Sequence, residues 1–435
     1  MSETSDFNFA WPLPPGEVAA IAVSGGADSF ALLHWAWKAG HPIVALTVDH
    51  GLREGSAAEA QAVRTFCSER NISHETLLWR GEKPTAGIQE AARNARYRLL
   101  CQACERMGIS HLVTAHTADD QAETVFMRLR RGAGRGLAGM PDERKIAAGP
   151  GPLITLHRPM LSVRRKAARA YADAHAIPFA DDPSNEDEKY ERVRIRALLA
   201  ALEQQDLLTV EALINVAKSN QEERSAESTE LRRNFMPIER KDGALEAMHA
   251  DDWVLRRSQR AVGSLSAFNY RSVDEDVPFS DFPDTRWGAV VVPAIQVGRE
   301  FAEVIYREPA ALLGRADGTP GFTPVAAPPG SKHLYDRRFI VTVPDEAPEG
   351  LHLRPLGQLL PKDIATSTLS RSRISTLPCL SKGEALYALP KLATDAVTQA
   401  LSGWKLCDGF LSPIEGTFEA RSLLSERFAG DVIRY

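Results

Sequence analysis

Ala22-Val23-Ser24-Gly25-Gly26-Ala27-Asp28-Ser29, near the start of a 435-residue chain, is the stretch from which the architecture can be read. An apolar run over 18–23 leads into it, and an apolar-periodic segment with Phe30, Leu32, Leu33 and Trp37 follows. That order predicts a strand, a glycine turn and a helix. In such a turn the glycines let backbone N–H groups approach a phosphate, and the helix N-terminus adds the positive end of its dipole. Ser24 and Ser29 offer further hydrogen bonds, and Asp28 is the candidate ligand for a Mg2+ that neutralises phosphate charge. The loop has no lysine, so it is not a Walker A loop, whose pattern GxxxxGK ends in Ser or Thr. A plain glycine-rich turn leaves Ser24, Asp28 and Ser29 unexplained; a phosphate loop gives each of them a task.

Outward from the loop, β-branched runs alternate with helical periodicity. Residues 43–48 read as a second buried strand ending at Asp49-His50-Gly51. A helix over 57–70, a strand over 75–79, a long helix over 88–107, a strand over 111–114 and a helix over 119–131 follow. Residues 153–157 read as a last strand before a helix over 162–175, with Ser162 as its cap. Regular alternation of this kind predicts an α/β fold, a doubly wound parallel sheet with helices on both faces. Ligands of such sheets bind beyond the carboxyl ends of the strands. Ser24, Asp49-His50 and His116 all fall just past strand ends, so one site can gather them.

Beyond an acidic loop over 178–189, residues 192–232 read as wholly helical. From about 234 the alternation is lost, and helical or irregular pieces are expected to about 313. The Gly- and Pro-rich stretch 314–330 reads as a linker. The expected organisation is a nucleotide-binding domain over 1–200, a mostly helical domain with linker over 201–330, and a small β-containing domain over 331–435.

Composition bounds the function. With 44% hydrophobic and 25% charged residues the chain reads as globular. Its apolar runs are far too short for a membrane span, and the acidic start, Met1 to Asp6, is unlike a secretory leader. Five scattered cysteines argue for a reducing cytosol and against a disulfide framework. A net charge of -5 argues against a general polyanion binder. Yet arginines cluster at Arg128, Arg130, Arg131 and Arg135, at Arg164, Arg165 and Arg169 beside Lys166, and at Arg192, Arg194 and Arg196. Each cluster alone also suits a solvated helix face; together they suit one nucleic-acid face on an otherwise repulsive surface. The sequence leaves a homodimer open.

A second block carries chemistry: Thr114-Ala115-His116-Thr117-Ala118-Asp119-Asp120-Gln121-Ala122-Glu123-Thr124. Asp120 and Glu123 are three apart near a helix start, hence on one face. Such carboxylates also favour the helix dipole, which alone would explain Asp119. Beside a histidine at the sheet edge, they suit a site that binds a cation, orients an amine and moves protons.

Several blocks, in order, resemble known proteins. Ser24 to Ser29 is similar to the SGGxDS loop of PP-loop ATP pyrophosphatases, whose fold is adenine-nucleotide α-hydrolase-like. Val48-Asp49-His50-Gly51-Leu52-Arg53 resembles a block of the tRNA(Ile)-lysidine synthase family. So do Gly87 to Arg93 with Ala95-Arg96-Tyr97, His116 to Glu123, Arg131 to Gly134, Arg158-Pro159-Met160-Leu161 and Asp181 to Asn185. One departure is Arg192-Val193, where the family pattern has Arg-Asn.

The resemblance implies a cytoplasmic ligase. ATP would adenylate the C2 oxygen of the wobble cytidine in the CAU anticodon of an isoleucine tRNA. L-lysine would then attack C2 and expel AMP, giving lysidine. It assigns Ser24, Gly25, Gly26, Ala27, Asp28 and Ser29, with Val48 and His50, to ATP, and Asp28 to Mg2+. It assigns Asp120 and Glu123 to lysine, and Arg93 and His116 to the reacting nucleotide beside Asp28 and Asp120 as the catalytic set. Arg128, Arg131, Arg135, Arg192, Arg194 and Arg196 fall to tRNA phosphates, and the 331–435 region to other parts of the tRNA. Trp253 and Trp404 read as core residues before base-stacking ones. Two alternatives stay open. One is a PP-loop tRNA cytidine thiolase, for which Cys101 and Cys104 on one helix face give some footing. The other is a non-catalytic, nucleotide-gated RNA-binding protein.

Overall fold

The computed structural model describes residues 7–52, 55–81, 83–132, 135–179, 191–234, 238–239, 245–248, 284–286, 289–297, 300–314, 318, 320–336, 338–359, 374–389, 419–422 and 432–434. Arg53, Ala133, Gly134, the 181–185 block, Trp253, Trp404 and Cys407 therefore lie outside the described residues, as does the side chain of Arg135. The chain forms two compact units: Met1–Glu227 with Tyr270–Ser272 and Val432–Tyr435, and Ser228–Asn269 with Val273–Asp431.

The first unit is built on β1 (Ala19–Ala22), α1 (Ala27–Lys38), β2 (Ile43–Asp49), α2 (Ser56–Glu69), β3 (Ser73–Leu78), α3 (Ile88–Met107), β4 (His111–Thr114), α4 (Ala118–Arg130), β5 (Glu143–Ala147), β6 (Ile154–His157), α5 (Arg165–Ala174), α6 (Glu191–Gln204) and the greater part, to Glu227, of α7 (Val210–Asn234). Its seven-stranded sheet runs in the order 432–434, β5, β6, β4, β1, β2, β3. All pairings are parallel except the β5–β6 hairpin. The short central β1 shows why helices cover both faces. Ala19 and Ile21 join a core with Phe30, Leu33, Phe66 and Ala168, whereas Ala20 and Ala22 join Leu100, Cys101 and Cys104. Alternate residues of a strand point to opposite faces, so an Ala-Ala-Ile-Ala run buried on both sides admits a helix layer on each.

The predicted doubly wound α/β fold is present. Three local details differ. β5, with sequence Glu-Arg-Lys-Ile-Ala, is too charged for an apolar pattern to reveal; pairing with β6 creates it. α5 begins at Arg165, not near Ser162, because its first N–H is satisfied by the Asp119 carboxylate, 2.6 Å away. The helix expected over 192–232 is two helices. Asp206 sits at φ +53°, in the left-handed region, and Thr209 Oγ1 accepts from Ala212 N at 3.1 Å to start α7. Ile195, Leu199, Val210 and Leu213 then pack on Ala118, Ala122 and Val125 of α4.

In the second unit, the span expected to be helical or irregular contains an antiparallel sheet. Its strands are Ile238–Glu239, Leu245–Met248, Asp284–Arg286, Ala289–Val297 and Glu300–Arg307. The β-branched run Val290-Val291-Val292 favours strand, and the irregularity between Val292 and Ile295 accommodates Pro293. Further strands between 325 and 422 form a four-stranded and a three-stranded sheet. They enclose a core of Tyr335, Phe339, Leu353, Leu377 and Leu380, against which Phe322 and Ala327 of the Gly- and Pro-rich stretch also pack.

Candidate active site

The loop between β1 and α1 closes on itself before any ligand arrives. Ser24 N donates to Ser29 Oγ at 3.1 Å, Ser29 Oγ donates to the Gly26 carbonyl at 2.9 Å, and the two hydroxyl oxygens lie 3.2 Å apart. Gly25 has φ +92°, and a Cβ there would sit 3.3 Å from Glu59 Cβ, so the turn needs glycine twice over. No side chain caps α1 at Gly26. Its first N–H groups therefore stay open to an anion.

Beside the loop lies a cavity of about 140 Å³, lined by Ser24, Val48, His50, Thr47, Ser56 and Arg96 among others. Three of the residues expected to hold a nucleotide meet here from two strand ends. The turn after β2 is braced: Asp49 Oδ1 accepts from Gly51 N at 2.8 Å, and Lys83 Nζ donates to the Gly51 carbonyl at 3.1 Å. A hydrogen bond from Ser56 holds the Asp49 carboxyl below its usual range. Trp79 packs edge-on against the His50 ring at 6.0 Å.

A few side chains away the carboxylates gather around arginines. Thr117 and Asp120 form a capping box at the start of α4, with Thr117 N donating to Asp120 Oδ2 at 2.9 Å. Arg165 reaches Asp120 Oδ1 at 2.7 Å, Glu123 Oε1 at 3.1 Å and Asp28 Oδ2 at 3.6 Å. Arg196 Nε donates to the same Glu123 oxygen at 2.9 Å. Arg164 bridges Asp119 to Glu203 and Glu211.

These contacts set the charge states. Burial, with Asp120 and Asp119 nearby, outweighs Arg165 and raises the Asp28 pKa to about 7. Burial also opposes the charge of Asp120, but Arg165, His116 and the Thr117 hydrogen bonds prevail and lower its pKa. Burial, reinforced by Arg158, pushes His116 down to about 3, so its ring is neutral at pH 7. Thr114 Oγ1, 2.9 Å from His116 Nδ1, fixes that ring.

The remaining expected residues scatter. Arg93 is exposed and lies over the Tyr97 ring at 5.1 Å, and its charge adds to the lowering of the His116 pKa. Arg128 donates to the Gly139 carbonyl at 2.9 Å. Arg130 and Arg131 both pair with Glu191. Arg192 and Arg194 are exposed on α6, while Arg196 turns inward to Glu123.

Several site residues escaped the sequence analysis, among them Arg96 of the cavity lining, Arg164 and Arg165. Arg165 and Arg164 look like a surface cluster in the chain, yet they organise the carboxylates. The available signal was their place in the first turn of a helix, where the dipole disfavours cations. As to a metal, Asp28 Oδ1 is buried and has no hydrogen-bond partner, a hard oxygen suited to one Mg2+ ligand position. Among the described residues no cluster of three His, Cys, Asp or Glu would hold a metal by itself. Phosphates and waters would have to complete its shell.

A glycine loop at a parallel strand end, followed by a helix with an uncapped start and a carboxylate in its first turn, has the form of a nucleotide-phosphate site. Residues 8–202 match the PP-loop domain family. The chain is 47% identical across 215 residues to the tRNA(Ile)-lysidine synthase of a Bradyrhizobium strain, covering 48% of this chain and 59% of that protein. It is 49% identical across 198 residues to the tRNA(Ile)-lysidine synthase of Mesorhizobium japonicum, covering 42% of each. The chain thus spans about half the length of the curated relatives it matches. Among solved structures, a U34-tRNA thiolase from Methanococcus maripaludis overlaps with a TM-score of 0.41 and 16% identity, over 48% of this chain and 73% of that one.

Proposed function

We propose that this chain is a tRNA-modifying ligase. It would use ATP to adenylate the C2 oxygen of the wobble cytidine in a CAU-anticodon isoleucine tRNA. It would then join the side-chain amine of L-lysine to C2, giving lysidine with release of AMP and pyrophosphate. One observation carries the reading: the Asp28 carboxylate of the phosphate loop and the amine-type carboxylates Asp120 and Glu123 share a single guanidinium, that of Arg165. Phosphate chemistry and amine delivery therefore fall within one side chain's span.

The geometry is compatible with the following roles. Backbone N–H groups from Ser24 to Ser29 and the open start of α1 receive the phosphates, and Val48, His50 and Arg96 line the nucleotide cavity. A Mg2+ held on Asp28 would neutralise the phosphate charge that develops as pyrophosphate leaves. Cytosine C2 becomes electrophilic once its oxygen is a phosphate ester. Asp120 and Glu123 hold an ammonium of the lysine while the attacking amine loses its proton. His116 is neutral and oriented through Nδ1, which leaves the other ring nitrogen to hydrogen-bond the reacting nucleotide. Arg93, Arg96 and Arg158 supply positive potential there. The exposed Arg192 and Arg194, with Arg128, Arg131 and Arg135, are assigned to tRNA phosphates, which supply affinity rather than sequence discrimination.

The test is incorporation of labelled lysine into a CAU-anticodon tRNA in the presence of ATP, with AMP and pyrophosphate formed in equal amounts. Absence of label from that tRNA, or sulfur in place of lysine, overturns the proposal. The thiolase alternative is weakened by its own cysteines. Cys101 and Cys104 are 2% and 0% exposed in the core under α3, and burial pushes both thiols up to about 12. Thiols so hard to ionise are poor nucleophiles and metal ligands. Cys101→Ser with Cys104→Ser is expected to keep lysine transfer within about twofold while costing roughly 1–2 kcal/mol of stability for the buried hydroxyls. Loss of activity at unchanged folding would revive the thiolase. The four described cysteines are all free and buried, which suits a reducing cytoplasm. No helix among the described residues is long and apolar enough to cross a membrane.

A further inference from the structure

Arg165 stands where a substrate ammonium is expected. Its guanidinium is 2.7 Å from Asp120 and 3.1 Å from Glu123, the two carboxylates assigned to lysine, and 3.6 Å from Asp28 on the phosphate side. The backbone of Arg165 is anchored separately, since its N–H donates to Asp119 Oδ2 at 2.6 Å. The side chain can therefore move without unravelling the start of α5.

The cluster is short of positive charge. Asp28, Asp119, Asp120 and Glu123 face Arg164, Arg165 and Arg196, and Arg164 is shared with Glu203 and Glu211. Two carboxylate oxygens, Asp28 Oδ1 and Glu123 Oε2, are buried with no hydrogen-bond partner, and Glu123 as a residue is only 1% exposed. A native interior rarely leaves such acceptors without a water, a cation or a ligand to complete them. Conversely, without Arg165 the free protein would bury Asp120 and Glu123 with too little compensation, which is costly.

We propose that Arg165 is a placeholder cation: it occupies Asp120 and Glu123 in the free protein and is displaced toward Asp28 and the nucleotide phosphates when the ammonium of the amino-acid substrate binds. Binding is then an exchange of one cation for another. The pocket is never a bare anion, so small inorganic cations gain little by entering. The released guanidinium moves to the side where phosphate charge accumulates. Arg165 is a positioning residue in this scheme, and the inference rests on the reading of lysine as substrate.

The test compares Arg165→Gln with the unaltered full chain. Lysine KM, kcat and the lysine-induced rise in Tm are measured, with and without guanidinium chloride at low millimolar concentration. If the displaced conformer is about 10% populated in the free protein, removing Arg165 lifts that tax and lowers the lysine KM about tenfold. The variant is expected to melt earlier without lysine, to gain more from lysine than the unaltered chain does, and to turn over more slowly. Guanidinium is expected to compete with lysine in the variant alone. A lysine KM that rises, with no guanidinium competition, overturns the placeholder and leaves Arg165 a scaffold. Should Arg165→Gln not fold, Arg165→Lys serves: one ammonium cannot span three carboxylates, so lysine KM still falls, and a rise overturns the inference. If the unaltered chain incorporates no lysine into tRNA in the same assay, the parent reading has failed instead.

Discussion

Asp28→Asn is expected to lower AMP and pyrophosphate release about 10²- to 10³-fold and, at the same time, to stabilise the protein above pH 7. The activity loss follows from position. Asp28 lies in the first turn of α1, and its Oδ1 is buried without a hydrogen-bond partner next to the open phosphate loop. An amide cannot replace a carboxylate at a cation. The stability gain follows from linkage. Burial raises the Asp28 pKa from 3.8 to about 7, so the folded protein holds this proton more tightly than the unfolded chain. The contribution of the protonated carboxyl is fully present below the unfolded value and is lost as pH rises through the folded one. The asparagine variant lacks that slope, and the gap in Tm between the two proteins should open as pH rises through 7. Melting both at pH 5.5 and pH 8 checks this; a gap that does not widen, or adenylation within twofold of normal, contradicts the assignment. A cation bound at Asp28 would also release a proton on binding below pH 7, measurable calorimetrically in buffers of different ionisation enthalpy.

The second large effect is expected from Glu123 and Asp120, the carboxylates proposed to receive the amine. Glu123 is 1% exposed, and its Oε1 accepts from both Arg165 and Arg196, at 3.1 and 2.9 Å. Glu123→Ala leaves the two guanidinium groups facing a buried hole, a loss of about 3–5 kcal/mol, or roughly 10 °C in the Tm of a unit this size. Asp120→Asn is gentler. Its oxygen still accepts from Thr117 in the capping box, but the charge facing Arg165 is gone. Folding should survive, and the lysine KM should rise well above any change in the ATP KM. Steady-state kinetics with each substrate varied in turn separate the two; equal rises would remove Asp120 from amine binding. Lysine transfer by Glu123→Ala at normal KM, once folding is verified, would do the same for Glu123.

Several parts of this site are readable in one dimension because their physics is local. The turn at Gly25, the open start of α1 and the Thr117–Asp120 capping box each involve residues within five positions of one another. Their signatures survive in the string of letters. The alternation of strands and helices is equally local, and it places Ser24, His50 and His116 at one sheet edge. Pieces whose formation depends on a distant partner were not readable. β5 is a strand only because β6 pairs with it, and the long hairpin around Val290 to Val292 lies in a span that looked irregular. The 192–232 region looked continuous because the break at Asp206 and Thr209 interrupts the apolar pattern for only a few residues.

A doubly wound α/β unit with a glycine loop at a strand end, and two carboxylates and a histidine past a neighbouring strand end, follow from the order of the residues alone. The pairing of the charges does not; it is set by the folded interior. Arg165 and Arg196 belong to basic runs in the chain, yet in space they meet Asp28, Asp120 and Glu123, while Arg130 and Arg131 are taken up by Glu191. Helix and strand propensity act over a few residues and leave a periodic trace. An ion pair acts across the folded interior, between groups whose separation in sequence, here 42 positions for Arg165 and Glu123, carries no trace of their 3.1 Å contact.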